Sequence, residues 1–496
     1  MCILPLDSPR TSPASQLAAP ARQQLALAAL TGVPISHLAA DHHVSRKFIY
    51  QQLDKAHQGI DLAFNPPASP QDLLFWLPVT KPWLQQLVLG LVLVCHSSLR
   101  SAGELLSDLF DYPISLGTVH NILQQAIAKA EPLNQQPTLA TVRIGAHDEI
   151  FQSGQPVLVG ADVHSTYCYL LSQEEQRDGD TWGVRLLELR DRGFDPEATI
   201  ADFGSGLRKG QNQALPNTPC RGDVFHPLRD FQTLLTHLDN RAYEAIARLD
   251  DLRKKQARFE QRQGRKDRGL VNPTTLATRE VEQALATADD VATLYDWLRQ
   301  DILAVAGPGH ATRVLLYDWV VACLQAREKH SERIRPIRQM LQNQRDALLL
   351  FAVELDDDLR DLADGLQVPL GLVREALAVV QLEETRPARQ KREERLQQQL
   401  GGKYAVLRAL VEELDFEVVR ASSVIENLNS RLRNYFFLRK QVGPEYLKLL
   451  QFYLNHRKFR RSEHGHRVGK TPRELLSGQH HEHWLELLGY QRFQRN

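Results

Sequence analysis

Apolar residues recur every three to four positions over most of this chain, and they alternate in one stretch only, from about residue 140 to 226. Residues 21–55 read as three short helices. ARQQLALAALTG is closed by Gly32, PISHLAADHHV carries Pro34 in its first turn, and Ser45 is placed as the N-cap of SRKFIYQQLDKA. Pro66, Pro67, Pro70, Pro78 and Pro82 mark a stiff linker over 61–80. A second helical unit is expected over 81–136. KPWLQQLVLGLVLVCHSSLRSAGELLSDLF supplies two of its helices, and Ser115 caps SLGTVHNILQQAIAKA. From about 227 to 415 the alternation vanishes and amphipathic helices follow one another. Such a block is too long for a loop and predicts an all-α insertion domain over 236–415.

The alternating stretch is organised differently. TVRIGAHDEIF, PVLVGADVHS and TYCYLLS read as three strands, with a turn at Ser153–Gly154. Asp180 or Thr181 is placed to cap the helix TWGVRLLELRDR, and Gly193 ends it. ATIAD is a short buried strand, FGSGLRKGQNQAL a turn and helix, and CRGDVFH a final strand. The order β-β-β-α-β-α-β resembles an RNase H-like mixed sheet, in which the first and fourth strands are neighbours at the centre. That arrangement would bring Asp148 and Asp202 together. Two carboxylates held close repel unless a cation lies between them, and a hard oxygen-seeking ion such as Mg²⁺ suits the place. A single aspartate at a strand end is ordinarily a loop cap or a surface ion pair; position in the strand order is what distinguishes these two. Glu149 should point to the opposite face from Asp148, and Asp162 lies on the second strand.

The fold expected is therefore multidomain, α/β plus all-α. It runs from an N-terminal helix-turn-helix over 1–60, through the second such unit, to a core split between 137–235 and 416–460. A basic tail follows over 461–496. The second part of the core opens on SSVIENLNSRLRNYFFLRKQ, which places Glu426 in the first turn of a helix. Ser423-x-x-Glu426 fits a capping box, in which the glutamate bonds back to the N-cap amide. Competing with that reading, Asn427, Asn429, Ser430, Arg431, Arg433 and Asn434 crowd one short helix with groups suited to phosphate and sugar. Ile425, Leu428, Leu432 and Tyr435 form its buried stripe.

Composition narrows the partners. The 496 residues are 43% hydrophobic and 24% charged with zero formal net charge, so any affinity for nucleic acid must be local. Between 420 and 475 there are 13 basic residues against 4 acids, among them Arg439, Lys440, Arg457, Lys458, Arg460 and Arg461. In the two N-terminal units, Ser45, Arg46, Lys47 and Tyr50, and then Thr118, His120 and Asn121, occupy the exposed side of a second helix. They suit contacts in a major groove; an ordinary three-helix bundle would look alike. Arg253, Lys254, Lys255 and the basic residues up to Arg268 form a stripe that can follow a DNA backbone or simply be a solvated helix face. Trp297 and Trp319 are expected in the core, with base stacking as the alternative. GHRVGKT at 465–471 has one residue too few for a phosphate loop and no strand before it, and His480, His481 and His483 lack partners at zinc spacing. The five cysteines are scattered with no CxxC, which fits a reducing compartment. No signal peptide is expected at the N-terminus, and the run Leu87–Cys95 is too short to span a bilayer.

Taken together, HDEIF…VLVGADVHS, TIADFGSGLRKG, DVFHPLRDF and SSVIENLNSRLRNYF resemble bacterial insertion-sequence transposases of the DDE type, and the Mutator and hAT relatives that carry a helical insertion before the glutamate. The resemblance covers roughly 140–235 and 415–475. It implies that Asp148, Asp202 and Glu426 bind two Mg²⁺ (or Mn²⁺) ions and cleave and join phosphodiesters. Asp223, His226, Asn429 and Arg433 would support the site, with Asp223-Val224-Phe225-His226 standing for a C/D-x-x-H motif. The partners implied are double-stranded DNA (element ends and target) and further copies of the chain as a homodimer or larger assembly. The location implied is the bacterial cytoplasm, at the nucleoid. Two rival functions share these motifs: a DNA-binding regulator on a retired transposase scaffold, and an RNase H-like nuclease without strand transfer.

Overall fold

The computed structural model describes residues 14, 17–65, 75, 77–383, 385–418, 423–438, 443–462 and 464–494. The chain divides into two units, Met1–Thr80 with Phe493–Asn496, and Lys81–Arg492.

In the first unit three helices form as the pattern predicts, α1 (Ala19–Leu30), α2 (Ile35–Asp41) and α3 (Arg46–Phe64). Ser45 caps α3 by accepting from Phe48 N at 3.1 Å. Leu25, Leu38, Ala39, Val44 and Ile49 make the small core. The linker expected from residue 61 starts later, because 61–64 are the last turn of α3. Prolines 66, 67 and 70 lie outside the described residues.

The second unit opens with α4 (Lys81–Leu93), α5 (Leu99–Phe110) and α6 (Leu116–Gln135). Ser98 and Ser115 cap α5 and α6. These helices were expected as a separate unit over 81–136. Instead Val88, Val92, Leu106, Val119, Leu123 and Ala126 share one core with the sheet. The sheet has five strands, β1 (Ile144–Gln152), β2 (Gln155–Asp162), β3 (Cys168–Gln173), β4 (Ala198–Ala201) and β5 (Cys220–Gly222), in the order β3-β2-β1-β4-β5. β1–β2 and β2–β3 pair antiparallel, and β1–β4 and β4–β5 parallel. The connecting helices are α7 (Gly179–Arg190) and α8 (Ser205–Ala214). The cap of α7 is Asp178, which accepts from Thr181 N at 2.9 Å, in place of the Asp180 or Thr181 expected.

Each face of the sheet has its own cover. On one side Ala146, Ile150, Val157 and Val159 pack against α6 and two later helices. On the other, Leu158, Tyr169 and Ala201 pack against Trp182 and Leu186 of α7 and Leu207 of α8. Strand alternation thus sends Asp148 to the first face with Ala146 and Ile150, and His147 to the second, where its ring lies against Tyr169, Trp182 and Phe194. The packing of α8 on α7 is tight. A Cβ on Gly210 would come within 2.5 Å of Trp182 Cβ, so only glycine fits there.

A helical block then intervenes, comprising α9 (Phe225–Gln263), α10 (Arg268–Trp297), α11 (His310–Arg327), α12 (Ile334–Leu366), α13 (Leu370–Val380), α14 (Pro387–Leu400) and α15 (Lys403–Glu417). It holds two cores of its own. Its expected start at 236 falls inside α9, which begins immediately after the sheet. Between α10 and α11 a π-helical turn, Leu298–Ile302, is closed by Arg313, which is buried and donates to carbonyls of Ile302, Ala304, Val305 and Pro308. The chain returns to the sheet through α16 (Ser423–Leu438) and α17 (Pro444–His456). Asn455 of α17 pairs with the edge strand, accepting from Cys168 N and donating to Cys168 O, both at 2.8 Å. The expected basic tail is built structure. α18 (Pro472–Ser477) and α19 (Trp484–Leu487) follow. Trp484, Leu488 and Tyr490 enter the main core, and Leu476 enters the core on the α7 side. Among the described residues no helix is long and apolar enough to cross a membrane.

Candidate functional site

The site forms where β1, β4 and β5 run parallel. The pairs Ile144–Ala198 and His147–Ala201 share one register, and carrying it one residue further sets Asp148 level with Asp202. The pairs Thr199–Cys220 and Ala201–Gly222 do the same for Asp202 and Asp223, and Asp223 N donates to Ala201 O at 3.1 Å. Three aspartates therefore stand in a row across adjacent strands. Asp148 is buried, at 6% exposure, and Asp223 is fully buried.

Each acid is held by short local contacts. Asp148 Oδ1 accepts from Glu149 N at 2.7 Å and its Oδ2 accepts from Asn429 Nδ2 at 2.6 Å. Asn429 lies on α16, is fully buried, and its Oδ1 has no hydrogen-bond partner among the described residues. Asp202 Oδ1 accepts from Gly204 N at 2.9 Å. A Cβ at Gly204 would stand 3.0 Å from that oxygen, so the turn after β4 has little room for a side chain. Asp223 accepts from Phe225 N at 3.0 Å and from His226 Nδ1 at 2.5 Å. The other imidazole nitrogen, Nε2, faces Glu426 Oε1 at 3.1 Å. His226 thus joins Asp223 at the end of β5 to Glu426 on α16. The helix begins at Ser423, and the second carboxylate oxygen of Glu426 lies 4.0 Å from Arg433.

The electrostatics follow from this crowding. Burial pushes the Asp148 carboxyl up to about 7, and the charges of Asp202 and Glu426 push the same way. The Glu149 amide and His226 oppose the rise. The hydrogen bond to Asp223 raises the His226 pKa above its ordinary value, against the effect of its burial. The His226 imidazole, favoured toward its charged form, thus lies between two carboxylates, Asp223 and Glu426. A further cation would relieve the remaining repulsion, and a carboxylate donor set suits a hard ion such as Mg²⁺. Among the described residues no three histidine, cysteine, aspartate or glutamate side chains are already arranged as a metal cage.

The neighbouring acids are engaged elsewhere. Glu149 accepts from Arg177 and from Trp182 Nε1, each at 2.8 Å, on the α7 face. Asp162 accepts from Ser165 N at 2.8 Å at the turn after β2. Arg208 is a positioning residue that the sequence did not reveal. From α8 its guanidinium donates to the carbonyls of Asp202 at 3.1 Å and Cys220 at 2.9 Å, tying the ends of β4 and β5 together, and it lies over the Phe203 ring. Its one signal was a lone arginine in the turn-and-helix segment after Asp202.

The remaining expected contacts are scattered over the chain. Ser45, Arg46, Lys47 and Tyr50 are exposed in the first unit. Thr118, His120 and Asn121 are exposed on α6, where Thr118 Oγ1 is bonded to Ser115 Oγ at 2.9 Å. Lys254 and Lys255 are exposed far along α9, as are Lys458, Arg460 and Arg461 after α17. Arg457 is half-buried over the Tyr453 ring. Arg431 is also half-buried, and burial together with Arg457 disfavours its charge, so it is poorly suited to be a free phosphate contact. Arg439 and Lys440 lie outside the described residues. Trp297 and Trp319, expected in the core, are 39% and 46% exposed and stack on each other with centroids 4.8 Å apart. No protein-family model matches the chain, and no curated protein matches it.

Proposed function

We propose that this chain is a DDE-type DNA transposase with an RNase H-like catalytic core, which binds element ends and catalyses metal-dependent cleavage and strand transfer. The observation that carries this reading is the level alignment of Asp148 and Asp202 on adjacent parallel strands, under a helix that brings Glu426 and Asn429 to the same place. The strand order β3-β2-β1-β4-β5, with its antiparallel meander and parallel continuation, supports the same core.

In this reading Asp148, Asp202 and Glu426 hold two Mg²⁺ or Mn²⁺ ions. When bound, such ions supply Lewis-acid activation of an attacking oxygen and stabilisation of a leaving one. The protein's own groups prepare the place. Asn429 fixes the orientation of Asp148, Gly204 N and Arg208 fix the turn that carries Asp202, and His226 holds Glu426 against the sheet. Arg433, 60% exposed in its side chain, is available to a phosphate beside Glu426. The exposed face of α3 with Ser45, Arg46, Lys47 and Tyr50 is assigned to the DNA duplex, and the basic residues after α17 to its backbone.

The test is Asp202→Asn in the full chain, assayed on DNA carrying the ends of its own element. Mg²⁺-dependent cleavage should disappear while DNA affinity stays within about twofold, since an active-site carboxylate removed in place leaves the binding surfaces intact. Undiminished cleavage would overturn the reading. Joining of a pre-cut 3′-OH end to target DNA separates a transposase from a nuclease that only cleaves.

A further inference from the structure

One continuous helix links the acid site to a basic tip. α9 starts beside His226, runs 39 residues, and turns at Gly264 into α10. Its first part belongs to the helical core through Phe231, Leu234 and Leu238. Beyond Leu249 the character changes, and from residue 250 to 276 every residue is half-buried or exposed. This tip of the α9–α10 hairpin holds eight basic residues between Arg253 and Arg268, all exposed, and among the described residues none of them forms an ion pair. Arg248, just before the tip, does pair with Glu280, at 2.9 Å.

Lys254, Arg258 and Arg262 follow one another at four-residue spacing, so they share one helix face at steps of about 6 Å. Like charges at this spacing destabilise a helix by a few tenths of a kcal/mol per pair. Asp250 and Asp251, four residues earlier, offset this at Lys254 and Lys255, but Arg258 and Arg262 have no acid three or four residues away. A polyanion with regularly spaced charges would offset it, and duplex DNA presents one phosphate per about 3.4 Å along each strand. The distance to the site is set by the helix itself. From His226 to Lys254 is about 42 Å and to Arg262 about 54 Å at 1.5 Å per residue. For a duplex lying along α9 those lengths correspond to about 12 to 16 base pairs.

We propose that the α9–α10 tip is a phosphate-binding arm that grips duplex DNA about 12 to 16 base pairs from the bond presented to the acids. The register rests on the proposed transposase reading; the affinity for DNA does not. The experiment compares the full-length protein with the quadruple variant Lys254→Gln, Lys255→Gln, Arg258→Gln, Arg262→Gln. Glutamine keeps helix propensity and removes the repulsion, so the melting temperature should be unchanged or higher. Binding to a duplex of about 30 base pairs is measured without divalent cation at several salt concentrations. Losing four phosphate contacts should lower the slope of log affinity against log salt by about 3 to 4. Between about 50 and 200 mM salt, wild-type affinity should then fall about 100-fold more than that of the variant. Hydroxyl-radical footprints should lose protection about 12 to 16 base pairs from the cleavage position. Equal slopes for the two proteins overturn the arm and leave its charge to an acidic protein partner. A lowered slope with the footprint lost at another distance overturns the placement along α9. A wild-type chain that binds no DNA at all overturns both this inference and the transposase reading, whereas failure of Asp202→Asn to stop cleavage leaves the arm standing.

Discussion

At Asp148 burial and charge act together on one carboxyl. Its unfolded value is near 3.8 and its folded value about 7. Between these the folded state keeps a proton that the unfolded state has released, so stability falls as pH rises through that window and the cost is fully present above 7. Asp148→Asn removes the charge and leaves an acceptor for Asn429. It should therefore stabilise the ion-free protein at pH 8 by up to about 4 kcal/mol, read as a higher melting temperature, and have little effect at pH 4. An unchanged or lowered melting temperature at pH 8 would show that Asp148 is not under this strain. That Asp148 and Asp202 lie on neighbouring strands was readable in advance from the strand order; that they are level follows from the register, which the order does not set. Arg208 was not readable, since donation to backbone carbonyls leaves no pattern in the neighbouring side chains. Trp297 and Trp319 were misread for a related reason: a tryptophan on an amphipathic helix looks the same whether it meets a core or another tryptophan at the surface.

Short strands make the site depend on contacts beyond their own ladders. β4 has four residues and β5 three, too few to hold Asp202 and Asp223 by backbone pairing alone. The guanidinium of Arg208 supplies the missing bonds, and Arg208→Ala should cost about 2 to 4 kcal/mol, since hydrogen bonds from a charged donor contribute about 1.5 to 3 each. Amide exchange at β4 and β5 should speed up while that of β1 and β2 stays slow; uniform protection in both would refute the clamp. Most helix starts were legible at this scale, because Ser45 and Ser115 act locally on the amides that follow. The onset of helix at about 227 was legible as well; the domain boundary at 236 was not, since the apolar stripe of α9 runs unbroken from the sheet-proximal Phe231 to Leu249.

Across the second unit, packing erased two boundaries that the sequence suggested. The helix-turn-helix cadence of 81–136 is local, whereas the docking of α6 on the sheet depends on residues hundreds of positions away, such as Leu450 and Tyr453. Likewise the basic composition after 461 hid Trp484, which is 6% exposed in the same core. Trp484→Ala should destabilise this unit by about 3 to 5 kcal/mol, the range for deleting a large core aromatic. Chemical denaturation followed by circular dichroism reads this out, and an unshifted midpoint would return the segment to the status of a tail.

The return of the chain to the sheet also sets a time order. A protein made from its N-terminus completes β1 to β5 and then the whole helical block before α16 exists. Until then the sheet face of Ala146, Ile150 and Val157 lacks Ile425, Leu428 and Phe452 as cover. The aspartates likewise stand without Glu426. A chain still on the ribosome is thus both sticky and short of one acid of the cluster, and it sheds both conditions in the same docking event, when α16 and α17 reach the sheet.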